Sequence, residues 1–324
     1  MGAQTPVPSL SDPKRLAAAL AELEIAVRVR VDGLLHGNHL GLVPGPGSEL
    51  GDARPYVAGD DVRRMDWSVT ARTTVPHVRQ TVADRELETW LAVDLSASMD
   101  FGTALCEKRD LAILAAAAIG HITRGGGNRL GAVVVAGDEI RRMPPRGGRA
   151  AVQHLLRQLA ETPRAQPGQR GDLASALEQL RRPERRRGLV VAISDFLGPL
   201  DWVRPLRALA ARHDVIAVEI SDPRDSRLPA VGLVTLTDPE SGRTRQVRAT
   251  RALGERFAAA AAEHRGEVVA AIRGVGAGLL SLSTDRDWVG DILRFVAQRK
   301  RGIGGAGPPQ NAASYRSAAV PNMA

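Results

Sequence analysis

Oxygen-bearing side chains follow two apolar segments at the points where strands should end. Asp94 comes directly after the apolar run 90–93, and Ser96 and Ser98 follow it at alternate positions. This spacing places one carboxylate and two hydroxyls on one tight loop, and Asp195 follows a second apolar run. An all-oxygen ligand set suits hard cations, so Mg²⁺ or Mn²⁺ is the expected metal. The alternative is that Asp94 merely ends a strand while a serine caps the next helix.

The residues that common enzymes require are incomplete around this loop. A phosphotransferase of the haloacid dehalogenase type needs a second Asp two residues after the first, but position 96 is Ser. The sequence has neither a Gly-x-Ser-x-Gly elbow nor a Walker A loop, and its seven histidines show no metal-ligand spacing. A dinucleotide-type glycine pattern at 302–307 follows the last expected helix, with no strand before it. We therefore predict that the chain is not an enzyme.

The elements that would position these side chains alternate from residue 87 onwards. Short apolar runs separated by helical segments predict a doubly wound, mostly parallel α/β sheet with helices on both faces, of the Rossmann-like kind. The expected strands lie at 90–93, 130–135, 189–193, 215–220 and 279–283. The expected helices lie at 105–123, 150–160, 172–180, 202–212, 251–274 and 288–298. Segments 232–237 and 243–247 are expected to form a hairpin near one sheet edge.

The sequence before residue 87 and after residue 300 differs from this pattern. Residues 1–10 are expected to be disordered. A helix is expected from 11 to about 35, a loop rich in Gly and Pro at 36–60, and a short strand at 75–82. Residues 11–86 thus form a helix, loop and strand extension on the amino-terminal side of a main domain at 87–300. The tail at 301–324 is rich in Gly, Pro, Ala, Ser and Asn and is expected to be disordered.

Charge and hydropathy leave two classes of partner open. The net charge is +8 and the basic residues are almost all Arg, which permits binding to nucleic acid. However, the densest run, at 181–187, has no aromatic neighbours for base stacking, and Arg also favours protein surfaces. An Arg-rich nucleic-acid-associated protein is therefore the alternative to a protein-binding module. The apolar run 111–119 is too short to cross a bilayer and no signal-peptide pattern is present, so we expect a cytoplasmic protein without a membrane span.

A second group of charged residues precedes the expected sheet. It could form an acidic catalytic cluster, or an ion-pair network that fixes the extension to the sheet; its members are Asp60, Asp61, Arg63, Asp66 and Arg72. Forked hydrogen bonds between guanidinium and carboxylate groups satisfy both partners, which favours the structural interpretation. Trp67 is expected to pack against the same junction.

These motifs together resemble a known bacterial family. The metal-loop pattern Asp94-x-Ser96-x-Ser98-Met99 occurs with Gly59-Asp60-Asp61-Val62-Arg63-Arg64-Met65-Asp66-Trp67, Thr70-Ala71-Arg72, Lys108 and Ser194-Asp195-Phe196. Over about residues 36–300 the chain is similar to the family catalogued as domain of unknown function 58. The resemblance implies a von Willebrand factor A-like fold with a metal-ion-dependent adhesion site. It also implies a MoxR-type AAA+ ATPase as partner and an adaptor role, with an unknown protein client, in complex assembly or maturation.

One position departs from the adhesion site that the resemblance implies. In that site a Thr from a separate loop joins the two Ser ligands, whereas the corresponding stretch here reads Arg170-Gly171-Asp172-Leu173. Asp172 is therefore a tentative ligand, directly or through water, or it caps the helix that begins there. An extra carboxylate would strengthen cation binding and weaken the attraction of an acidic partner group.

Overall fold

The computed structural model describes residues 53–57, 62, 65–79, 87–123, 127–166, 168–169, 171–181 and 187–305. The predicted disordered start, the helix at 11–35, most of the loop at 36–60 and the tail beyond residue 305 lie outside these residues. Asp60, Asp61 and Arg63 lie outside them too, so the proposed ion-pair network remains a prediction.

Ten strands and eight α-helices lie within the described residues. The strands are β1 (Ala53–Pro55), β2 (His77–Arg79), β3 (Glu88–Asp94), β4 (Arg129–Ala136), β5 (Glu139–Gly147), β6 (Leu189–Ser194), β7 (Asp214–Ser221), β8 (Gly232–Thr237), β9 (Thr244–Ala249) and β10 (Gly278–Ser283). The helices are α1 (Trp67–Thr73), α2 (Lys108–Ile122), α3 (Arg149–Ala160), α4 (Leu173–Leu180), α5 (Val203–Ala210), α6 (Pro223–Ser226), α7 (Arg251–Gly274) and α8 (Trp288–Gly305). Among the described helices, none is long and apolar enough to span a membrane.

The central sheet has six strands in the order β10-β7-β6-β3-β4-β5. All neighbouring strands are parallel except β4 and β5. Successive residues of a strand face opposite sides, so β3 contributes Leu91 and Val93 to one core and Trp90 and Ala92 to the other. Helices α2, α3 and α8 cover the first face, and α4, α5 and α7 cover the second. The predicted doubly wound α/β architecture is confirmed.

Four elements were not predicted: β1, β5, α1 and α6. β5 pairs antiparallel with β4 at the sheet edge and contains Pro144 and Pro145, which weaken a strand pattern in sequence but are tolerated on an edge. α1 begins where the Asp66 carboxylate accepts hydrogen bonds from the backbone of Ser68 and Val69. Its seven residues are too short for a helical period to be recognised.

Several predicted boundaries were wrong for reasons visible in the packing. α2 begins at Lys108 and not at 105, because the preceding loop is fixed by a hydrogen bond from the Lys108 N–H to the Phe101 carbonyl oxygen, at 2.8 Å. α8 continues to Gly305, five residues into the segment predicted to be disordered. The hairpin β8–β9 forms its own two-stranded sheet and does not extend the central one. Within the strand predicted at 75–82, the structure shows a shorter strand, β2, at His77–Arg79.

Candidate metal centre

The strand order places the candidate ligands where the direction of winding reverses. β3 lies between β4 and β6, and the chain proceeds from β3 to β4 on one side but from β6 to β7 on the other. In open α/β sheets, the crevice at the carboxyl ends of two such strands is the usual ligand position. Val93 pairs with Ile193, so Asp94 and Asp195 stand at the ends of neighbouring strands. The register therefore brings them to one edge of the sheet, as predicted.

The carboxylate of Asp94 is buried and accepts two hydrogen bonds. The backbone N–H of Ser96 donates to Oδ1 at 2.9 Å, and the hydroxyl of Ser194 donates to Oδ2 at 2.7 Å. Burial raises the pKa of Asp94, the negative charge of Asp195 raises it further, and the two serines act in the opposite direction. Within the described part of the chain, no Lys or Arg forms an ion pair with Asp94. A cation at this position would remove the electrostatic cost of the buried charge.

The two hydroxyls of the loop are directed towards each other. The Oγ atoms of Ser96 and Ser98 lie 3.3 Å apart, and both side chains are buried. Ser96 precedes the 3-10 turn Ala97–Met99, but its side chain makes no capping hydrogen bond to that turn. The alternative in which Ser96 serves as a helix cap is therefore wrong. Both hydroxyl oxygens keep lone pairs for another ligand.

Asp195 differs from Asp94 in having a buried cationic partner. Lys108 is 1% exposed, and its Nζ lies 2.9 Å from Asp195 and 3.3 Å from Asp225. Burial alone would lower the pKa of Lys108, but the charges of these two carboxylates outweigh it and the net pKa is raised. The ammonium group is thus charged at neutral pH. It positions Asp195 beside the loop while neutralising part of its charge.

A third carboxylate at this edge was missed in the sequence. Asp222 follows β7, and its carboxylate accepts hydrogen bonds from the Thr103 N–H at 2.8 Å and from the Thr103 and Thr284 hydroxyls at 2.6 Å each. Burial opposes ionisation of Asp222, but these hydrogen bonds outweigh it and lower the pKa. The available signal was the Ile220-Ser221-Asp222 run, which repeats the order of residues at 193–195. Asp222 fixes the loop between Met99 and α2.

The backbone next to Asp195 is strained. Phe196 has a φ of 53°, in the left-handed region that non-glycine residues rarely adopt. Its ring packs against Trp202 with centroids 5.0 Å apart, and its carbonyl oxygen accepts a hydrogen bond from Nε2 of His264 at 3.0 Å. These contacts hold the conformation and turn Leu197 outwards at the sheet edge. Strain of this kind is common at ligand sites.

Asp172 is the N-cap of α4. Its Oδ1 accepts from the backbone N–H of Ser175 at 2.7 Å, and its Oδ2 accepts from the Ser175 hydroxyl at 2.5 Å. The capping role, one of the two interpretations from sequence, accounts for both carboxylate oxygens. The residue that abuts the metal loop is Gly171, where an added Cβ would lie 2.5 Å from Cβ of Ser96 and 3.3 Å from Oδ1 of Asp94. A Thr at position 171 would therefore collide with the loop as it stands.

The oxygen donors at this edge fit a small hard cation. Among the described residues, no group of three or more His, Cys, Asp or Glu side chains is placed to hold a metal. The candidate centre depends instead on one carboxylate and two hydroxyls, with Asp195 beside them. Such a set suits Mg²⁺ or Mn²⁺ and leaves coordination positions for water or for a group from another molecule.

Comparison with known proteins identifies the family. The family described as "Protein of unknown function DUF58" matches residues 52–267. The chain belongs to the DUF58 family. The match includes the Asp and Arg signature, the metal loop and Asp195, which confirms the resemblance seen in sequence.

Relatives of high identity occur in mycobacteria. The chain is 63% identical over 293 residues to the uncharacterized protein Rv1480 of Mycobacterium tuberculosis and, to the same degree, to the uncharacterized protein Mb1516 of Mycobacterium bovis. Each alignment covers 90% of this chain and 92% of the relative. One similar solved structure is BatB from Bacteroides thetaiotaomicron, which is 16% identical with a TM-score of 0.39. The superposed region covers 66% of this chain and 99% of BatB. Another is the SpRpn10 VWA domain, which is 13% identical with a TM-score of 0.39. Here the superposed region covers 64% of this chain and 94% of that domain.

The structure also describes Trp67 and Arg72, two further residues of the signature before the sheet. Trp67 is 69% exposed at the start of α1, so the expected packing against the junction is wrong. Its position as the first residue of a short helix turns the ring outwards. Arg72 donates from Nε to the carbonyl oxygen of Ser68, within the same helix.

Replacement of Gly171 by Ala should weaken cation binding about tenfold or more, as is found when the support of a metal ligand is disturbed. The new Cβ would force Ser96 to move, because it has no room beside that side chain. Titration with Mn²⁺, followed by electron paramagnetic resonance, would measure the affinity. Gly198→Ala is the matched control, since an added Cβ there meets nothing within 4 Å. Equal affinities of the two variants would show that Gly171 does not support the loop.

Proposed function

We propose that this DUF58 protein is a non-catalytic, cation-dependent protein-binding module of the cytoplasm. It works as an adaptor with a MoxR-type AAA+ ATPase in the assembly or maturation of protein complexes. The observation that carries the proposal is the buried Asp94 carboxylate, which has no cationic partner among the described residues and lies beside Asp195. The ATPase, the von Willebrand factor A-like adhesion site and the adaptor role come from the family resemblance.

Binding of the cation would use the side chains already held at the sheet edge. Asp94 provides the carboxylate ligand, Ser96 and Ser98 provide hydroxyl ligands, and Asp195 contributes directly or through water. When bound, Mg²⁺ or Mn²⁺ supplies a positive centre that attracts a carboxylate of the partner. Asp172 is engaged in capping α4 but keeps its negative charge, so attraction of an acidic partner group depends on the charge of the bound cation.

The hydrogen bonds of the loop support a binding role over a catalytic one. The Ser194 hydroxyl donates to Asp94, and the hydroxyls of Ser96 and Ser98 face each other. Nucleophilic catalysis requires a general base within hydrogen-bonding distance of the hydroxyl. In the residues that the structure describes, no His or Lys makes such a contact with these three serines, and the one carboxylate that does, Asp94 at Ser194, is the proposed cation ligand.

Copurification of the chain with a purified MoxR-type AAA+ ATPase from the same genome tests this proposal. Complex formation in Mg²⁺ should be lost with chelator and with Asp94→Ala. Asp138→Ala is the control, because Asp138 is an exposed carboxylate in the turn after β4 at the same sheet edge. Capture that persists with chelator and with Asp94→Ala would contradict the proposal.

The hairpin β8–β9 supports a second candidate, the Arg-rich nucleic-acid-associated protein. Arg243, Arg245 and Arg248 are exposed, and within the described residues none of them pairs with a carboxylate. Phosphates would be their natural partners. If this function is right, the affinity for duplex DNA should fall steeply as the salt concentration rises. Replacing these arginines with Gln should reduce the affinity, and Asp94→Ala should leave it unchanged.

A further inference from the structure

A cavity of about 760 Å³ adjoins the candidate metal centre. Ser98, Asp195 and Lys108 line it at the sheet edge. Strand β8 with the turn after it forms one outer wall, and α7 between Phe257 and Val268 forms another. Of the α7 residues that line the cavity, only Val268 is buried, whereas Phe257 is 38% exposed. The part of this wall around Phe257 therefore stands clear of the core, and the part at Val268 joins it. Clefts of this size hold small ligands or a few side chains.

Large apolar side chains surround the cavity and yet remain exposed to solvent. Phe101 is 41% exposed, Leu197 46%, Leu236 42% and Phe257 38%, and all of them line the cavity. They come from four separate segments: the loop before α2, the loop after β6, strand β8 and helix α7. Apolar side chains that converge on one exposed site mark an interaction surface. The cavity thus presents apolar walls to a partner.

Two arginines at the mouth of the cavity have no carboxylate partner among the described residues. Arg224 and Arg227 line it, are exposed, and pair with no carboxylate in the described residues. Arg245 lies directly across from Leu236 on the same face of the hairpin. In contrast, Glu219 accepts two hydrogen bonds from Arg265, both at 3.0 Å. An acidic group of a partner therefore complements Arg224 and Arg227.

We propose that this cavity binds a peptide segment of a partner protein in which a large apolar residue lies close to Asp or Glu. The apolar side chain enters between Leu236 and Phe257, and the acidic side chain contacts Arg224 and Arg227. This inference rests on the proposed function, because it makes the cavity a second contact for the protein that the metal centre engages. The contacts within the cavity do not themselves require the cation.

Selection from a phage-displayed library of random peptides on the immobilised full chain, in Mg²⁺, provides the test. Enriched peptides should carry Leu, Phe or Trp within a few positions of Asp or Glu. A synthetic, fluorescent copy of the most enriched peptide then serves as the probe in anisotropy measurements. Leu236→Asp and Phe257→Asp should each weaken its binding about tenfold or more, since they place a charge in an apolar contact. Arg227→Glu should weaken it as well.

Leu233→Asp is the matched control for Leu236→Asp. Both residues belong to β8, but they are three positions apart and so face opposite sides, and Leu233 is 70% exposed and does not line the cavity. Circular dichroism establishes that each variant is folded. Equal loss of binding in Leu233→Asp and Leu236→Asp would overturn the proposal. So would the absence of enriched peptides, enrichment of basic peptides, or displacement of the probe by an oligodeoxynucleotide.

The two proposals can fail separately. If the proposed metal centre is wrong and the proposed peptide site is right, binding of the probe will depend on Leu236 and Phe257. It will then be unchanged by chelator and by Asp94→Ala. If the cavity is wrong and the metal centre is right, binding will depend on Mg²⁺ and Asp94 and will be unchanged by Leu236→Asp and Phe257→Asp. A direct Mn²⁺ titration of Leu236→Asp confirms that the metal centre is intact in that variant.

Discussion

Replacement of Lys108 by Met is expected to lower the free energy of unfolding by about 3–5 kcal/mol, the usual cost of removing one partner from a buried ion pair. The ammonium group lies 2.9 Å from Asp195 and 3.3 Å from Asp225 and is shielded from water, so its loss leaves two carboxylates without their cation. Met fills a similar volume, which limits the contribution from packing. Urea denaturation followed by circular dichroism measures the change.

A second substitution separates charge from packing in this experiment. Lys108→Met combined with Asp195→Asn should recover part of the lost stability, because one of the two uncompensated charges is removed. Arg251→Met is the control for an exposed ion pair with Glu255 and should change stability very little. If the double variant were no more stable than Lys108→Met, the ion pair would not be the source of the effect. Added Mg²⁺ should also stabilise Lys108→Met, because Asp195 no longer has a competing cation.

Replacement of Asp94 by Asn is expected to affect stability in opposite directions with and without metal. In chelator, the melting temperature should rise by about 2–4 °C, which corresponds to about 1 kcal/mol for a domain of this size. The reason is that burial and Asp195 disfavour the ionised form of Asp94, as its raised pKa indicates, and Asn is neutral. The hydroxyl of Ser194 can accept a hydrogen bond from the new amide. In Mg²⁺ only the wild type should be stabilised, and Mn²⁺ affinity should fall about a hundredfold or more.

Thermal denaturation with and without Mg²⁺, together with Mn²⁺ titration, measures both parts of this prediction. Asp138→Asn removes an exposed charge near the same edge and should leave the stability and the Mn²⁺ affinity unchanged. Wild-type affinity for Mn²⁺ in Asp94→Asn would exclude Asp94 as a ligand. A lower melting temperature of Asp94→Asn in chelator would show that its hydrogen bonds outweigh the cost of burying its charge.

The strands that carry the candidate ligands could be predicted because their signal is local. A strand buried on both faces reads as a continuous apolar run, so β3 and β6 were recognised and their terminal residues pointed to Asp94 and Asp195. The edge strand β5 has one side open to solvent and contains Arg and Pro, which removes that signal. The hairpin was recognised from its turn, whereas the sequence made no prediction of whether it pairs with the central sheet, since pairing between distant strands is not encoded in a local pattern.

Sequence determined the identity and spacing of the oxygen ligands, the family and the alternation of strands and helices. Tertiary structure alone decided which charges neutralise one another. Lys108 lies 87 positions from Asp195 and 117 from Asp225, yet it pairs with both, while Asp94 has no cationic partner among the residues that the structure describes. Asp172 and Gly171 are adjacent in sequence, but the fold directs the first into a helix cap and the second against Ser96. The apolar cavity likewise exists only because four distant segments converge beyond the carboxyl edge of the sheet.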